Sequence, residues 1–289
     1  MDIHLLSVPY DMALRGARMG AGPERLLHAG AADRLRAKGH RVRVVDVALP
    51  QEAFPAEIRS AFELQRAVAE RIAEAVSSGA LSIVLAGNCN TAALGTLAGL
   101  GSRGVGVLWF DSHGDFNTPE TTIGGFLDGM ALAIATGQCW RELAAQLPSF
   151  EPVPPANALL LGVRDLDPLE ATLLAQRGVG VLSPAEVRAG VERRLEGLRE
   201  RVRDVYLHVD VDVLDPETHG RANALAAPGG LLVEEVQAVC ELAARTFRIR
   251  GAALTAYDPS FDDDDRVCSA ALALLDSVAA AAESSRGAR

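Results

Sequence analysis

Lysine is nearly missing from this chain: of its 28 basic residues only Lys38 is a lysine. That scarcity speaks against pyridoxal-phosphate and Schiff-base chemistry, which need a lysine amine. It also removes any P-loop lysine. Grouped basic charge is missing too. With a net charge of −10 the surface suits neither nucleic acid nor an anionic membrane, because both demand clustered Lys and Arg. The four cysteines, Cys89, Cys139, Cys240 and Cys268, form no CxxC and no disulfide framework. No apolar run reaches the roughly 18 residues of a membrane span, and the opening MDIHLLSVPYD has no basic n-region. The expectation is a cytoplasmic protein. GxSxG, HExxH and Walker A patterns are absent. The GxG at Gly104 and Gly106 precedes a strand instead of opening a helix, so it makes a poor dinucleotide site.

What is present is an ordinary globular composition of 289 residues, 49% hydrophobic and 23% charged. Short apolar runs alternate with segments of helical period. The strand runs are Ile3–Val8, Val42–Val47, Leu81–Ala86, Val105–Phe110, Ala158–Val163, Val179–Leu182, Val205–Val211 and Ala252–Tyr257. Helices are expected over Pro55–Val76, over Ser183–Val202 (a Ser cap, Pro at N1, Glu at N3) and over Leu232–Phe247. Apolar strands alternating with helices predict an α/β fold whose parallel sheet is covered on both faces. No linker or repeat divides the chain, so residues 1–289 read as one domain. The DDDD run at Asp262–Asp265 reads as a solvated loop before the last helix.

In such sheets the ligand site lies beyond the carboxyl ends of the strands. After VGVLWF comes DSHGDFNTP, with Asp111, His113 and Asp115 at i, i+2, i+4; strand alternation would put all three on one side. After VYLHV comes DVDVLDP, with Asp210 and Asp212 at i, i+2. Four carboxylates and one imidazole gathered in one desolvated place would cost many kcal/mol unless neutralised. Divalent cations would neutralise them, and carboxylates with one imidazole suit Mn²⁺-like ions. The charge count fits two metals better than one. The competing reading makes these acids helix caps and arginine partners. Among the remaining candidates, His4, His28, His40 and His208 read as packed or solvated, His219 stays open, and Cys139, Cys240 and Cys268 follow helical periodicity into the core. Cys89, in the turn after LSIVLA, is left as ligand, nucleophile or small core residue.

The motifs GNCN, DSHGDFNTP, GVRDLDP, DVDVLDP, PGGL and YDPS occur in that order. Together they resemble the ureohydrolases, the arginases and agmatinases, from GAGPERL to AYDPSFD. The resemblance implies a three-layer α/β/α fold around an eight-stranded, mostly parallel sheet with a binuclear Mn²⁺ site. A hydroxide between the metals would attack a guanidinium carbon, and urea would leave. Asp111, His113, Asp115, Asp210 and Asp212 match metal ligands. Asn117 and Thr118 match the part that holds a substrate α-carboxylate, and Asp167 matches the contact to its α-amino group. Retaining these points to an amino-acid substrate over a decarboxylated amine. The family also implies a homo-oligomer, a trimer or hexamer.

Three places depart from the family pattern. Cys89 stands where a histidine ligand is usual, and a thiolate favours softer ions. Asp128 stands where a proton-shuttling histidine is expected; a carboxylate relays protons with a lower reference pKa. Ala256 stands where a glutamate pairs with the guanidinium. A less basic substrate such as N-hydroxyarginine is therefore favoured. Plain arginine needs Asp128 or Glu120 to take over the pairing. The alternative is a binding or regulatory protein with an impaired metal site.

Overall fold

Eight strands build one sheet: β1 (Asp2–Val8), β2 (Arg41–Asp46), β3 (Leu81–Ala86), β4 (Val105–Phe110), β5 (Ala158–Leu161), β6 (Gly180–Leu182), β7 (Asp204–Asp210) and β8 (Arg248–Thr255). The structure is a computed structural model and describes residues 1–49 and 56–287. The strand order is β2-β1-β3-β8-β7-β4-β5-β6, and every pairing is parallel. Each expected strand is present, and the sheet is wholly instead of mostly parallel.

Alternation along the strands divides the core into two layers. Leu5, Ile83 and Leu108 face one side, where they meet Leu26, Leu35, Val187, Val236 and Leu274 from helices. Leu6, Val84 and Trp109 face the other, against Leu64, Val68, Leu97 and Leu174. The result is the three-layer α/β/α arrangement. Strand β2 is an edge: it pairs only with β1, and most of its residues are exposed.

The helix Glu57–Ser77 buries Leu64, Val68 and Ile72 at i, i+4 spacing. Its expected first residue, Pro55, lies outside the described residues. It packs closely on Ala93–Leu100, because Gly99 presents no side chain; a Cβ there would collide with the Ile72 side chain. The expected helix Ser183–Val202 is broken in two, Pro184–Ala189 and Glu192–Arg199. Gly190, at φ +117°, leaves helical space between them. Its capping box is formed: Glu186 N–H donates to Ser183 Oγ at 3.3 Å, and Ser183 N–H to Glu186 Oε2 at 2.8 Å.

Two expectations change here. The last helix, Arg266–Ser285, does carry a window of mean hydropathy 1.4, long and apolar enough to cross a membrane, but 67% of that window is buried inside the fold. It is a core helix. Asp262, the first of the DDDD run, is buried and accepts the N–H groups of Val267 and Cys268 at 3.1 and 2.8 Å. It caps that helix while its three neighbours meet solvent.

Strands β3 and β4 are consecutive in the chain but separated in the sheet by β8 and β7. The chain leaves β3 and β4 for helices on one face and leaves β7 and β8 for helices on the other, so a crevice opens where the carboxyl ends of these four strands meet.

Candidate metal centre

Strand β4 ends at Phe110, so Asp111, His113 and Asp115 lie on the loop that follows it. The alternation expected for them gives way to local hydrogen bonds. Asp111 Oδ1 accepts the His113 N–H at 2.7 Å, and its Oδ2 accepts the Trp109 indole N–H at 2.9 Å. Asp210 closes β7, and a 3₁₀ turn over Val211–Val213 swings Asp212 beside it, with the Asp212 N–H on Asp210 Oδ1 at 2.8 Å. Ser112 bridges the two loops by donating its hydroxyl and N–H to Asp212 Oδ1 at 2.8 and 3.2 Å. His113 Nδ1 stands 3.3 Å from Asp111 and 3.4 Å from Asp212.

Cys89 opens the turn after β3 and points inward, with Sγ 3.1 Å from both Asp210 Oδ2 and Thr255 Oγ1. Two ligand sets result. The ligand atoms of Cys89, Asp111 and Asp210 lie within 4.8 Å of one another, and so do those of Asp111, His113 and Asp212. Asp111 belongs to both.

Asp115 belongs to neither compact set. It is buried in a left-handed conformation at φ 48°, held by Leu132 and Ala133, whose N–H groups donate to its backbone carbonyl. Its Oδ2 has no hydrogen-bond partner among the described residues. A buried carboxylate oxygen left unsatisfied calls for a ligand of opposite charge.

The electrostatics agree. Burial and the neighbouring carboxylates push Asp111, Asp115 and Asp210 above the usual carboxylate range. Burial would raise Asp212 as well, but His113 and Ser112 hold it below that range. Burial would lower His113, yet the carboxylates of Asp212 and Asp111 raise it. Burial, then Asp210, pushes the Cys89 thiol well up. One imidazolium cannot balance four carboxylates. Divalent cations on these oxygen, nitrogen and sulfur donors can, so the donor set fits metal.

A cleft of about 250 Å³ opens over the centre, lined among others by His113, Asp115, Asn117, Asp128, Asp167 and Ala256. The Asn117 amide donates to Asp167 Oδ2 at 3.0 Å, so these two expected substrate contacts are brought together. Thr118 is not in the cleft wall: it is buried, its N–H donates to Thr121 Oγ1 at 2.8 Å, and its hydroxyl accepts the Glu120 N–H. Asp128 borders the cleft but both its oxygens are engaged, by the Asn90 N–H at 2.7 Å and the Asn88 amide at 3.1 Å. Glu120 is exposed and outside the cleft, so it is not placed to pair with a substrate cation. Ala256 sits in the wall at φ 66° and offers only a methyl group.

His219 is turned away from the cleft; its Nε2 accepts the Val233 N–H at 3.3 Å. The nucleophile reading of Cys89 lacks a partner, since His113 Nδ1 faces Asp111, Asp212 and Ser112. Cys139, Cys240 and Cys268 are buried and unpaired, as expected.

Glu170 and Asn223 are site residues that sequence reasoning did not single out. Glu170 Oε1 accepts the Phe116 N–H at 2.8 Å and Oε2 the Asp167 N–H at 3.3 Å, tying the loop after β4 to the helix Pro168–Arg177. The D-x-x-E spacing of DPLE was its visible signal. Asn223 holds the Ala256 carbonyl at 2.8 Å and reaches Asp212 Oδ2 at 3.4 Å. Nothing local in the sequence marks it.

A parallel α/β sheet that gathers carboxylates, an imidazole and a thiol at its switch point has the architecture of a metal-dependent hydrolase. Residues 1–280 match the Arginase family. The chain is 29% identical to the arginase of Bacillus caldovelox over 96% of its own length and 97% of that protein's, and 26% identical to that of Bacillus subtilis over the same shares. The solved Bacillus caldovelox arginase superimposes with a TM-score of 0.84 over 96% of this chain and 97% of that one. Formimidoylglutamase from Bacillus subtilis, 16% identical with a TM-score of 0.74 over 96% of this chain and 86% of its own, shares the fold alone. The chain belongs to the arginase family, whose members are binuclear-metal hydrolases.

Proposed function

We propose that this protein hydrolyses the guanidino-type C–N bond of an α-amino acid, N-hydroxyarginine or arginine-like, in a single domain over residues 1–289. The products are ornithine and hydroxyurea or urea. Two divalent ions, Mn²⁺ foremost, are held by Cys89, Asp111, His113, Asp115, Asp210 and Asp212. The observation that carries the reading is the pair of ligand sets joined through Asp111. Bound there, the ions would bring the ionisation of a water near neutral pH and so provide the nucleophile for the guanidino carbon.

The chain's own residues do the rest. Asp115 Oδ2 has no hydrogen-bond partner among the described residues and serves to hold the proton of the attacking water. Burial first of all pushes the Asp128 carboxyl up to about 7, a value matched to giving a proton to the departing nitrogen at neutral pH. Asn117 and Asp167 hold the amino-acid end of the substrate. Ala256 supports the choice of an N-hydroxy substrate. Ala256 offers only a methyl group and Glu120 lies outside the cleft, so the wall at Ala256 brings no carboxylate of its own to a full guanidinium charge, which a less basic N-hydroxyguanidine does not need.

The test is metal analysis of the purified protein together with urea and hydroxyurea release from arginine and N-hydroxyarginine, in Mn²⁺, Co²⁺, Ni²⁺ and Zn²⁺. Release of neither product overturns the proposal. The changes at Cys89, Asp128 and Ala256 support a second reading, a ureohydrolase-like binding or regulatory protein; far less than one ion per chain would favour it. The resemblance also supports a homo-oligomer, trimer or hexamer, which light scattering would show.

A further inference from the structure

Behind the ligand sets runs a row of polar side chains sealed from solvent. Tyr206 and His208 stand on β7 and Thr255 ends β8; none is more than 1% exposed. The Tyr206 hydroxyl lies 2.8 Å from His208 Nδ1, His208 Nε2 lies 3.3 Å from Thr255 Oγ1, and Thr255 Oγ1 lies 3.1 Å from Cys89 Sγ. The imidazole cannot turn to other partners. It stacks on Trp109 with centroids 3.6 Å apart and planes inclined by 13°, and that indole is itself tied to Asp111.

We infer that Thr255 is a positioning residue for the metal centre, delivering its hydroxyl hydrogen to the Cys89 sulfur in a direction set by His208 and Tyr206. The inference rests on the reading of Cys89 as a metal ligand. A coordinating thiol is deprotonated, so its sulfur only accepts. Thr255 has one hydrogen, and next to a thiolate that hydrogen belongs on sulfur. The Thr255 oxygen is then the acceptor facing His208 Nε2, which must carry the ring's N–H. His208 has no carboxylate among its hydrogen-bond partners and is wholly buried, so its ring is neutral with one N–H. Nδ1 is thus bare and accepts the Tyr206 O–H. With the sulfur as acceptor, only this polarity satisfies every member of the row. With a thiol that donates to Thr255, it runs the opposite way.

The consequence concerns ion choice. A donor on sulfur draws electron density from the thiolate and makes it a harder ligand. That is how a cysteine shares a site with carboxylates that favour Mn²⁺-like ions.

The experiment uses the full protein loaded with Co²⁺, whose thiolate-to-cobalt charge-transfer band reports on the sulfur. Thr255→Val, which keeps the side chain's shape, moves that band to longer wavelength and weakens Co²⁺ binding by about 10- to 100-fold. Thr255→Ser restores both. An unchanged band and affinity in Thr255→Val, with the band lost in Cys89→Ala, overturns the role of Thr255 and leaves the ligand reading standing. A band that persists in Cys89→Ala overturns the ligand reading and this inference with it. Should Thr255→Val not fold, ¹⁵N NMR of the Zn²⁺-loaded wild type decides. The His208 Nε2–H tautomer supports the inference, and the Nδ1–H tautomer overturns it.

Discussion

The Asn90 backbone N–H donates to the Asp128 carboxylate at 2.7 Å, one residue beyond Cys89 in the chain. The Asn88 side chain reaches the same carboxylate from the other flank of the cysteine at 3.1 Å. Asp128 therefore fixes the turn that aims the thiol, as well as bordering the cleft. Asp128→Asn keeps the size but sets an amide NH₂ against at least one of these donors. Unfolding of the variant should show a loss of about 1–3 kcal/mol. The pH profile of turnover should lose the limb near neutral pH. A profile identical to wild type removes Asp128 from proton transfer.

Asp111 is common to both ligand sets, whereas Cys89 serves one. Asp111→Asn should empty both positions, and Cys89→Ala should leave one ion per chain, because a missing ligand is felt by every ion it binds. Elemental analysis after gel filtration checks this directly. Equal metal loss in the two variants would contradict the shared role of Asp111.

Ala256→Glu places a carboxylate in the cleft wall at a backbone angle that the present residue already adopts. A hydrogen bond between charged partners contributes about 1.5–3 kcal/mol. The ratio of kcat/KM for arginine over N-hydroxyarginine should therefore rise by about tenfold or more. No change in that ratio would show that Ala256 does not set the preference.

Glu170 gives a pH signature in the metal-free protein. Burial pushes its carboxyl up to about 7 while the unfolded chain keeps the ordinary value near 4.3. Between these values the unfolded state loses its proton and the folded state retains it. The favourable contribution is thus complete below pH ~4 and declines as pH rises toward ~7, by up to about 3 kcal/mol. Glu170→Gln should flatten that decline in denaturant unfolding between pH ~4.5 and ~7, at a cost of about 1 kcal/mol at the acid end for a mismatched amide. An unflattened profile would assign the decline to other carboxyls.

Most of the fold was legible because six of the strands are buried on both faces or nearly so, and such strands read as unbroken apolar runs. The break at Gly190 was harder to see, since a single glycine interrupts helices and also sits inside them. At the site, the residue types and order of DxHxD and DxD pointed to strand ends that the structure brings together, but their geometry comes from loop hydrogen bonds that spacing does not encode. Glu170 carried a local capping signal. The grip of Asn88 and Asn90 on Asp128, and the links from His208 through Thr255 to Cys89, join residues 38 to 166 positions apart. Such contacts exist only once the parallel strands are laid side by side.

A metal titration decides between a metal-dependent amidinohydrolase and its alternatives. The protein is stripped of metal, titrated with Mn²⁺, and followed at each step for bound ion and for hydroxyurea and urea released from N-hydroxyarginine and arginine. Two ions should bind per chain, turnover should rise with occupancy, and kcat/KM should be higher for the N-hydroxy substrate. Full occupancy with neither product released, or release that is independent of metal, would contradict it.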